Sequence, residues 1–359
     1  MVSTIRFICC LIFLLISSLL LISFFFVTKE KYEDDFVNFE EFSQISKQKK
    51  VDNKNKLLPI ICSSPIYGIP IYKYIPFMND AYYFNQSKKN SSSFHYQSYK
   101  KIFFEDEKLD IKVVGDLVNS SKSESVRMIQ YNITSPDYNV TIFSIKGTSN
   151  KKDIFLDMQL YIPSVFLNLL STFSVFNQEG DSYSQKLIEY ALSIPYRLFY
   201  NKSFINDYLS DLRSAYNSSK KFDNVVIVGH SLGGGLSKIL ARMEKEQAIS
   251  LSGPGINAFH TLWTEYGNSE NYGISIIDLV PDMDLVPRVE VSGGTIYRII
   301  CDQGPFKCHN KAMSLCETLI MCRNPYSDFY CTKMADIRES DIKKIKQKSE
   351  LELKINDVE

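Results

Sequence analysis

Histidine is scarce in this chain, with four residues in 359, at positions 95, 230, 260 and 309. A reaction that needs an imidazole base therefore has few places to find one. Paired Cys-x-x-Cys units are missing, and the cysteine-rich end holds a single histidine, His309, which argues against a zinc centre. Net charge is missing too: 41 Lys+Arg stand against 41 Asp+Glu. That balance gives no reason to expect nucleic acid or a strongly acidic partner. No internal repeat is evident. What is present is an apolar fraction of 45%, enough for a sizeable core in one large domain or two small ones.

One long uncharged run stands at the start. Residues 7–27, "FICCLIFLLISSLLLISFFFV", form a stretch of 21 residues, close to the roughly 20 that span a bilayer as a helix. No small-x-small cleavage site follows it, so the reading favours a signal anchor over a cleaved signal peptide. The α-amino group and Arg6 precede the run, and an excess of acidic residues follows within a few positions. The positive-inside bias then puts the short N-terminus in the cytosol and the remainder in a lumen or outside. Asn-x-Ser/Thr sequons at Asn85, Asn90, Asn119, Asn132, Asn139, Asn201 and Asn217 fit that topology. So do Cys62, Cys301, Cys308, Cys316, Cys322 and Cys331, an even set that reads as disulfides in an oxidising compartment. Cys301 ends a predicted strand and Cys308 directly precedes His309, so a bridge between them would close a short loop beside that ring. Cys62 would then tie the start of the domain to Cys316, Cys322 or Cys331.

The chain divides into an anchor (1–28), a polar stem (29–56), a folded domain (57–335) and a charge-dense tail (336–359), the last read as a solvated helix or as disordered. Between 104 and 148 apolar residues alternate as in strands. Helical periodicity takes over from 158 to 216. Strands follow at 224–228, 248–252, 274–280 and 294–300, with a helix at 235–246. Strands alternating with helices predict an α/β fold with a mixed sheet covered by helices.

Residues 225–241, "VVIVGHSLGGGLSKILA", carry the strongest chemical signal. A serine hydroxyl is a poor nucleophile until a base takes its proton. On a sharp strand-to-helix bend the serine is exposed at the sheet's carboxyl edge. Glycines at −2 and +2, here Gly229 and Gly233, let the strand and helix approach. Such an elbow around Ser231 predicts an acid and then a histidine later in the chain. His309 is the one histidine that follows every candidate acid. His230 lies inside the elbow, with its side chain expected to point away from the serine's direction. "ISIIDLVPDMDLVPRVE" supplies the acids: Asp278, which falls within an apolar run, and Asp282 and Asp284 in the loop beyond, between which spacing alone does not choose. An oxyanion hole needs two backbone N–H donors. Leu232 supplies one, and Thr148, in the turn allowed by Gly147 after the strand "TIFSI", supplies the other.

At these residues the chain resembles the class 3 (fungal/plant-type) lipases. "FSIKGT" is similar to their Arg-Gly-Thr/Ser oxyanion segment, with Lys146 in place of the arginine. The elbow resembles theirs closely, and "DLVPRV" resembles their Asp-x-Val-Pro segment, which implies Asp284 as the acid. The resemblance covers roughly 139–309. It implies an α/β-hydrolase fold with a mostly parallel sheet, a Ser-Asp-His triad, no cofactor, and hydrolysis of lipid esters at a membrane or lipid surface. The family's usual His-Gly-Phe segment is missing. "ICDQGPFKCH" and the N-terminal anchor look like the autophagic-body phospholipases of fungi. Residues 161–176, with a stripe of Phe166, Leu169, Leu170 and Phe173, read either as a lid or as a core helix, and 150–157 is a second lid candidate. Two other functions fit the same residues: a small-ester esterase or acyltransferase, and an inactive lipase-like binding protein.

Overall fold

The computed structural model describes residues 58–83, 103–104, 109–118, 127–147, 203–256, 276–288, 292–335 and 337–356. The anchor, the stem, both lid candidates, Thr148, His95 and His260 lie outside the described residues. Among the described residues no helix is long and apolar enough to cross a membrane.

A seven-stranded sheet organises the domain, and its strands lie in chain order, β3-β4-β5-β6-β7-β8-β9. A two-residue ladder, β1 (Pro65–Ile66) with β2 (Ile69–Pro70), precedes it. In the main sheet β3 (Asp110–Asp116), β4 (Met128–Thr134) and β5 (Asn139–Ile145) pair antiparallel. From β5 onward every pairing is parallel, through β6 (Val225–His230), β7 (Gln247–Leu251), β8 (Ile276–Pro281) and β9 (Thr295–Ile299). Parallel strands covered on both faces read as continuous apolar runs rather than alternation. "VVIV" of β6 is such a run, and every residue of that strand is buried.

Helix α1 (Ile75–Tyr83) packs on β5 and β6. Two buried hydrogen bonds seat it: Ser144 Oγ donates to the Phe77 carbonyl at 2.8 Å, and the Tyr131 hydroxyl donates to Asp80 at 2.7 Å. Helix α2 (Ser203–Ser218) and helix α3 (Leu232–Glu244) share one apolar cluster with the sheet. Leu209, Leu212 and Tyr216 of α2 meet Leu236, Ile239 and Leu240 of α3 over Phe143, Val225 and Ile227.

Helix α3 starts three residues earlier than the sequence suggests. The run Gly233-Gly234-Gly235 has poor helix propensity and reads as a turn. Packing overrides propensity here, because the three glycines are buried where the helix crosses the sheet. A Cβ at Gly234 would meet Ser250 Oγ at 2.6 Å, and one at Gly235 would meet Pro254 at 2.8 Å. The charge-dense tail also needs correcting. Helix α5 (Glu339–Asn356) buries Ile342 and Ile345 and packs against helix α4 (Lys311–Met321), so the folded domain continues past 335. Two apolar residues three apart suffice for one buried face on an otherwise charged helix.

Candidate active site

Strand β6 stands fourth of the seven, in the parallel part of the sheet. Ligands of open parallel sheets bind beyond the carboxyl ends of the strands. There the chain leaves β6 through Ser231, whose φ of 56° and ψ of −128° lie in a region that favours glycine. The Ser231 N–H is held by the Leu251 carbonyl at 3.0 Å, and its own carbonyl accepts from Gly234 at 2.8 Å. A Cβ at Gly229 would collide with the Gly233 backbone, and one at Gly233 with the Ile145 carbonyl oxygen. Both glycines therefore allow a close approach of strand and helix.

Leu232 is the first residue of α3, where an N–H has no intrahelical acceptor. Its N–H is available beside Ser231. Gly147, the last described residue before Thr148, has no positive φ. The sequence suggests a tight turn at this position, but the reason for glycine is steric. A Cβ there would meet the Tyr82 hydroxyl and the His230 carbonyl oxygen.

Asp284 is fully buried in the loop after β8 and accepts from the Val286 N–H at 3.0 Å. His309 follows a short helical turn, Pro305–Cys308, and precedes Asn310, which caps α4 by accepting from the Ala312 N–H at 2.8 Å. Its Nδ1 lies 3.0 Å from Asp284 Oδ2 and its Nε2 lies 3.0 Å from Ser231 Oγ. A carboxylate only accepts, so the ring proton sits on Nδ1 and the Nε2 lone pair faces the serine hydroxyl. The structure thus brings Ser231, His309 and Asp284 into one hydrogen-bonded chain. Asp278 is buried in β8 and paired with Lys238 of α3 at 2.9 Å, away from this chain. Asp282 is not part of the chain either.

The six cysteines of the described residues pair as Cys301–Cys308, Cys62–Cys322 and Cys316–Cys331. The first closes the loop that ends one residue before His309. The second joins the start of the domain to the end of α4. Among the described residues no cluster of His, Cys, Asp and Glu could hold a metal ion.

His230 joins the site in a way the sequence does not show. Its ring packs 5.1 Å from the His309 ring, centre to centre. Its Nε2 lies 2.9 Å from the His309 carbonyl oxygen and its Nδ1 lies 3.0 Å from the Tyr82 hydroxyl. Burial, then the neighbouring His309 and Lys311, hold this imidazole well below its ordinary pKa of 6.5, so it is neutral. Sequence reasoning missed Tyr82 altogether. It comes from α1, 148 residues before its partner, in a chain with 22 tyrosines, and no motif marks it.

A strained serine at the end of a central parallel strand, hydrogen-bonded to a histidine that a buried aspartate holds, defines the α/β-hydrolase class. Residues 142–291 match the family model described as lipase (class 3). That segment is similar to the class 3 lipases, and the protein is a carboxylic ester hydrolase. No curated protein matches it. Among solved structures it is similar to a fungal lipase in complex with an inhibitor, at 13% identity over 63% of this chain and 78% of that one, with a TM-score of 0.35. A lipase from Yarrowia lipolytica is 13% identical over 77% of this chain and 86% of its own, with a TM-score of 0.29. An acetyl xylan esterase from Thermoanaerobacterium is 12% identical over 55% and 84%, with a TM-score of 0.20.

Proposed function

We propose that the protein is a lumenal or extracellular lipid ester hydrolase in which Ser231 is the nucleophile, His309 the general base and acid, and Asp284 the residue that orients the base. The observation that carries this reading is the pair of 3.0 Å contacts on either side of the His309 ring. Ser231 Oγ attacks the ester carbonyl carbon as its proton passes to His309 Nε2. The Leu232 N–H, with the Thr148 N–H as its partner, stabilises the oxyanion. Collapse of the tetrahedral intermediate expels the alcohol, which takes the proton back from His309 and leaves an acyl-serine. Water then repeats the sequence, giving the carboxylic acid and free Ser231. Asp284 keeps the proton on Nδ1 and stabilises the imidazolium that forms in each step.

A lipid substrate, triacylglycerol or phospholipid, is supported by the family and by apolar side chains on the loops that carry acid and base. Met283 and Leu285 flank Asp284 and are exposed, as is Phe306, three residues before His309. The compartment is argued from the uncharged 7–27 run and from the three disulfides, which need an oxidising environment. The deciding experiment is labelling with a serine-directed fluorophosphonate, alongside ester hydrolysis. Wild type is expected to label and to hydrolyse. Ser231→Ala should fold, fail to label and lose nearly all activity. Activity within a few-fold of wild type in that variant would overturn the reading, and a wild-type protein that neither labels nor hydrolyses would favour a binding function.

A further inference from the structure

The hydrogen bonds around His230 link three parts of the chain that are far apart in sequence. His230 ends β6 and immediately precedes Ser231. Its ring reaches the backbone of His309, 79 residues on. Tyr82, from α1, touches His230 and Lys311. Its hydroxyl meets His230 Nδ1, and the Lys311 ammonium lies 4.4 Å from the centre of its ring. Lys311 is two residues beyond His309. Helix α1 is itself seated on the sheet by the Phe77–Ser144 and Asp80–Tyr131 hydrogen bonds, so Tyr82 is held by a rigid element.

Which nitrogen of His230 carries the proton follows from its partners. A carbonyl oxygen only accepts, so Nε2 must donate to His309. Nδ1 then has a lone pair, which accepts from the Tyr82 hydroxyl. In the other tautomer two lone pairs would face each other across the 2.9 Å gap to the carbonyl. The His309 carbonyl therefore selects the tautomer, and the Tyr82 hydroxyl, which can donate or accept, satisfies it by donating to Nδ1.

We propose that His230 is a positioning residue for the base: its Nε2–H holds the His309 main chain, and the Tyr82 hydroxyl, donating to Nδ1, anchors the His230 ring in that orientation. The inference rests on the reading of Ser231 and His309 given above. The residue next to the nucleophile thereby sets the distance between nucleophile and base. The Cys301–Cys308 bridge restrains His309 from the preceding side, Asn310 from the following side, and His230 through the main-chain carbonyl. Because His230 is buried and neutral, it does not compete with His309 for the proton from Ser231, and it adds no second cation when His309 becomes charged. A displacement of about 1 Å at a reacting group costs on the order of a hundredfold in rate.

The test measures kcat and KM on a soluble ester, with kcat normalised to the active sites titrated by a fluorophosphonate. His230→Leu removes the donor and is expected to lower kcat per titrated site by about tenfold to a hundredfold while KM changes less than threefold. His230→Gln places an amide N–H near the lost Nε2–H and should recover most of that loss. Tyr82→Phe deletes one oxygen from a half-buried side chain and should lower kcat about threefold to tenfold. A merely structural role would reduce the titrated fraction or the melting temperature and leave kcat per site unchanged. Wild-type kcat per site in His230→Leu, or no recovery in His230→Gln, overturns the proposal. Should His230→Leu fail to fold, Tyr82→Phe decides: an unchanged kcat per site rejects the proposal, and the stated loss with unchanged KM supports it. Ser231→Ala separates the two inferences. If it stays active, the reading of the site fails; if it is dead while His230→Leu is fully active, only the role of His230 fails.

Discussion

Asp284 and Asp282 differ by two positions and by everything that matters to a base. Asp284 has no exposure, accepts a backbone N–H and bonds to His309. Asp284→Asn would offer an amide where the carboxylate was, and the His309 ring would lose the partner that keeps its proton on Nδ1. Activity should fall about a thousandfold to ten-thousandfold with little change in melting temperature. Asp282→Asn should stay within a few-fold. Purified variants assayed on one ester, with folding checked by circular dichroism, decide this. An inactive Asp282→Asn beside an active Asp284→Asn would shift the acid by two residues.

At the scale of elements, two contacts fix the geometry of the elbow and the base. Lys238 of α3 is completely buried, and its ammonium meets Asp278 of β8. Asp278 also accepts from the Ser292 hydroxyl. Removing one partner of such a pair leaves a charge without compensation inside the protein. Asp278→Asn should therefore cost about 3–5 kcal/mol of stability, read from urea unfolding. Activity per folded molecule should persist, since Asp278 does not touch His309 or Ser231. The Cys301–Cys308 bridge acts on position rather than on the global fold, because its closed loop spans only 7 residues of separation. Loops of that size contribute about 2–3 kcal/mol in the chain-entropy model. Cys301→Ser and Cys308→Ser should each lower kcat more than their melting temperatures explain. Wild-type kcat in both variants would remove the positioning role from the disulfide.

For the whole molecule, two buried groups shape how stability depends on pH. Glu317 of α4 is fully buried, and neither carboxylate oxygen has a hydrogen-bond partner. Burial first, then Asp302 and Asp282, against a smaller pull from Lys348, raise its pKa well above the ordinary 4.5. The folded state keeps this proton where the unfolded chain has lost it. Stability is therefore full below 4.5 and falls as pH rises toward the folded pKa. His230, buried beside His309, Lys311 and Tyr82, works in the opposite sense. Its pKa is depressed, so stability falls as pH drops below 6.5. Between 4.5 and 6.5 the two contributions oppose each other, with one proton each. Glu317 therefore contributes a decline toward alkaline pH and His230 a decline toward acid pH, each by at most about 1.4 kcal/mol per pH unit. Glu317→Gln should remove the decline on the alkaline side while leaving the acid side in place. Melting temperatures measured from pH 4 to 9 test this, and an unchanged alkaline limb in the variant would show that Glu317 is not its source.

The sequence by itself determined the nucleophile elbow, the order of acid and histidine, and the α/β class with its mixed sheet. Each of these is a local pattern: glycines spaced around a serine, apolar runs four to six residues long, a histidine with no rival downstream. Local patterns survive in sequence because steric contact between neighbours dictates them. The choice of Asp284 over Asp282 came from family resemblance, since spacing left both open. Tertiary structure alone supplied the contacts between distant segments. It seated Tyr82 on His230, turned the His230 ring toward the His309 backbone, joined Cys62 to Cys322, and left Glu317 buried without a partner. It also drew Gly233, Gly234 and Gly235 into helix α3, against their propensity, because no larger residue fits where that helix meets the sheet. Such contacts depend on which surfaces meet after folding, and a pair 148 residues apart leaves no periodicity or spacing from which to read it.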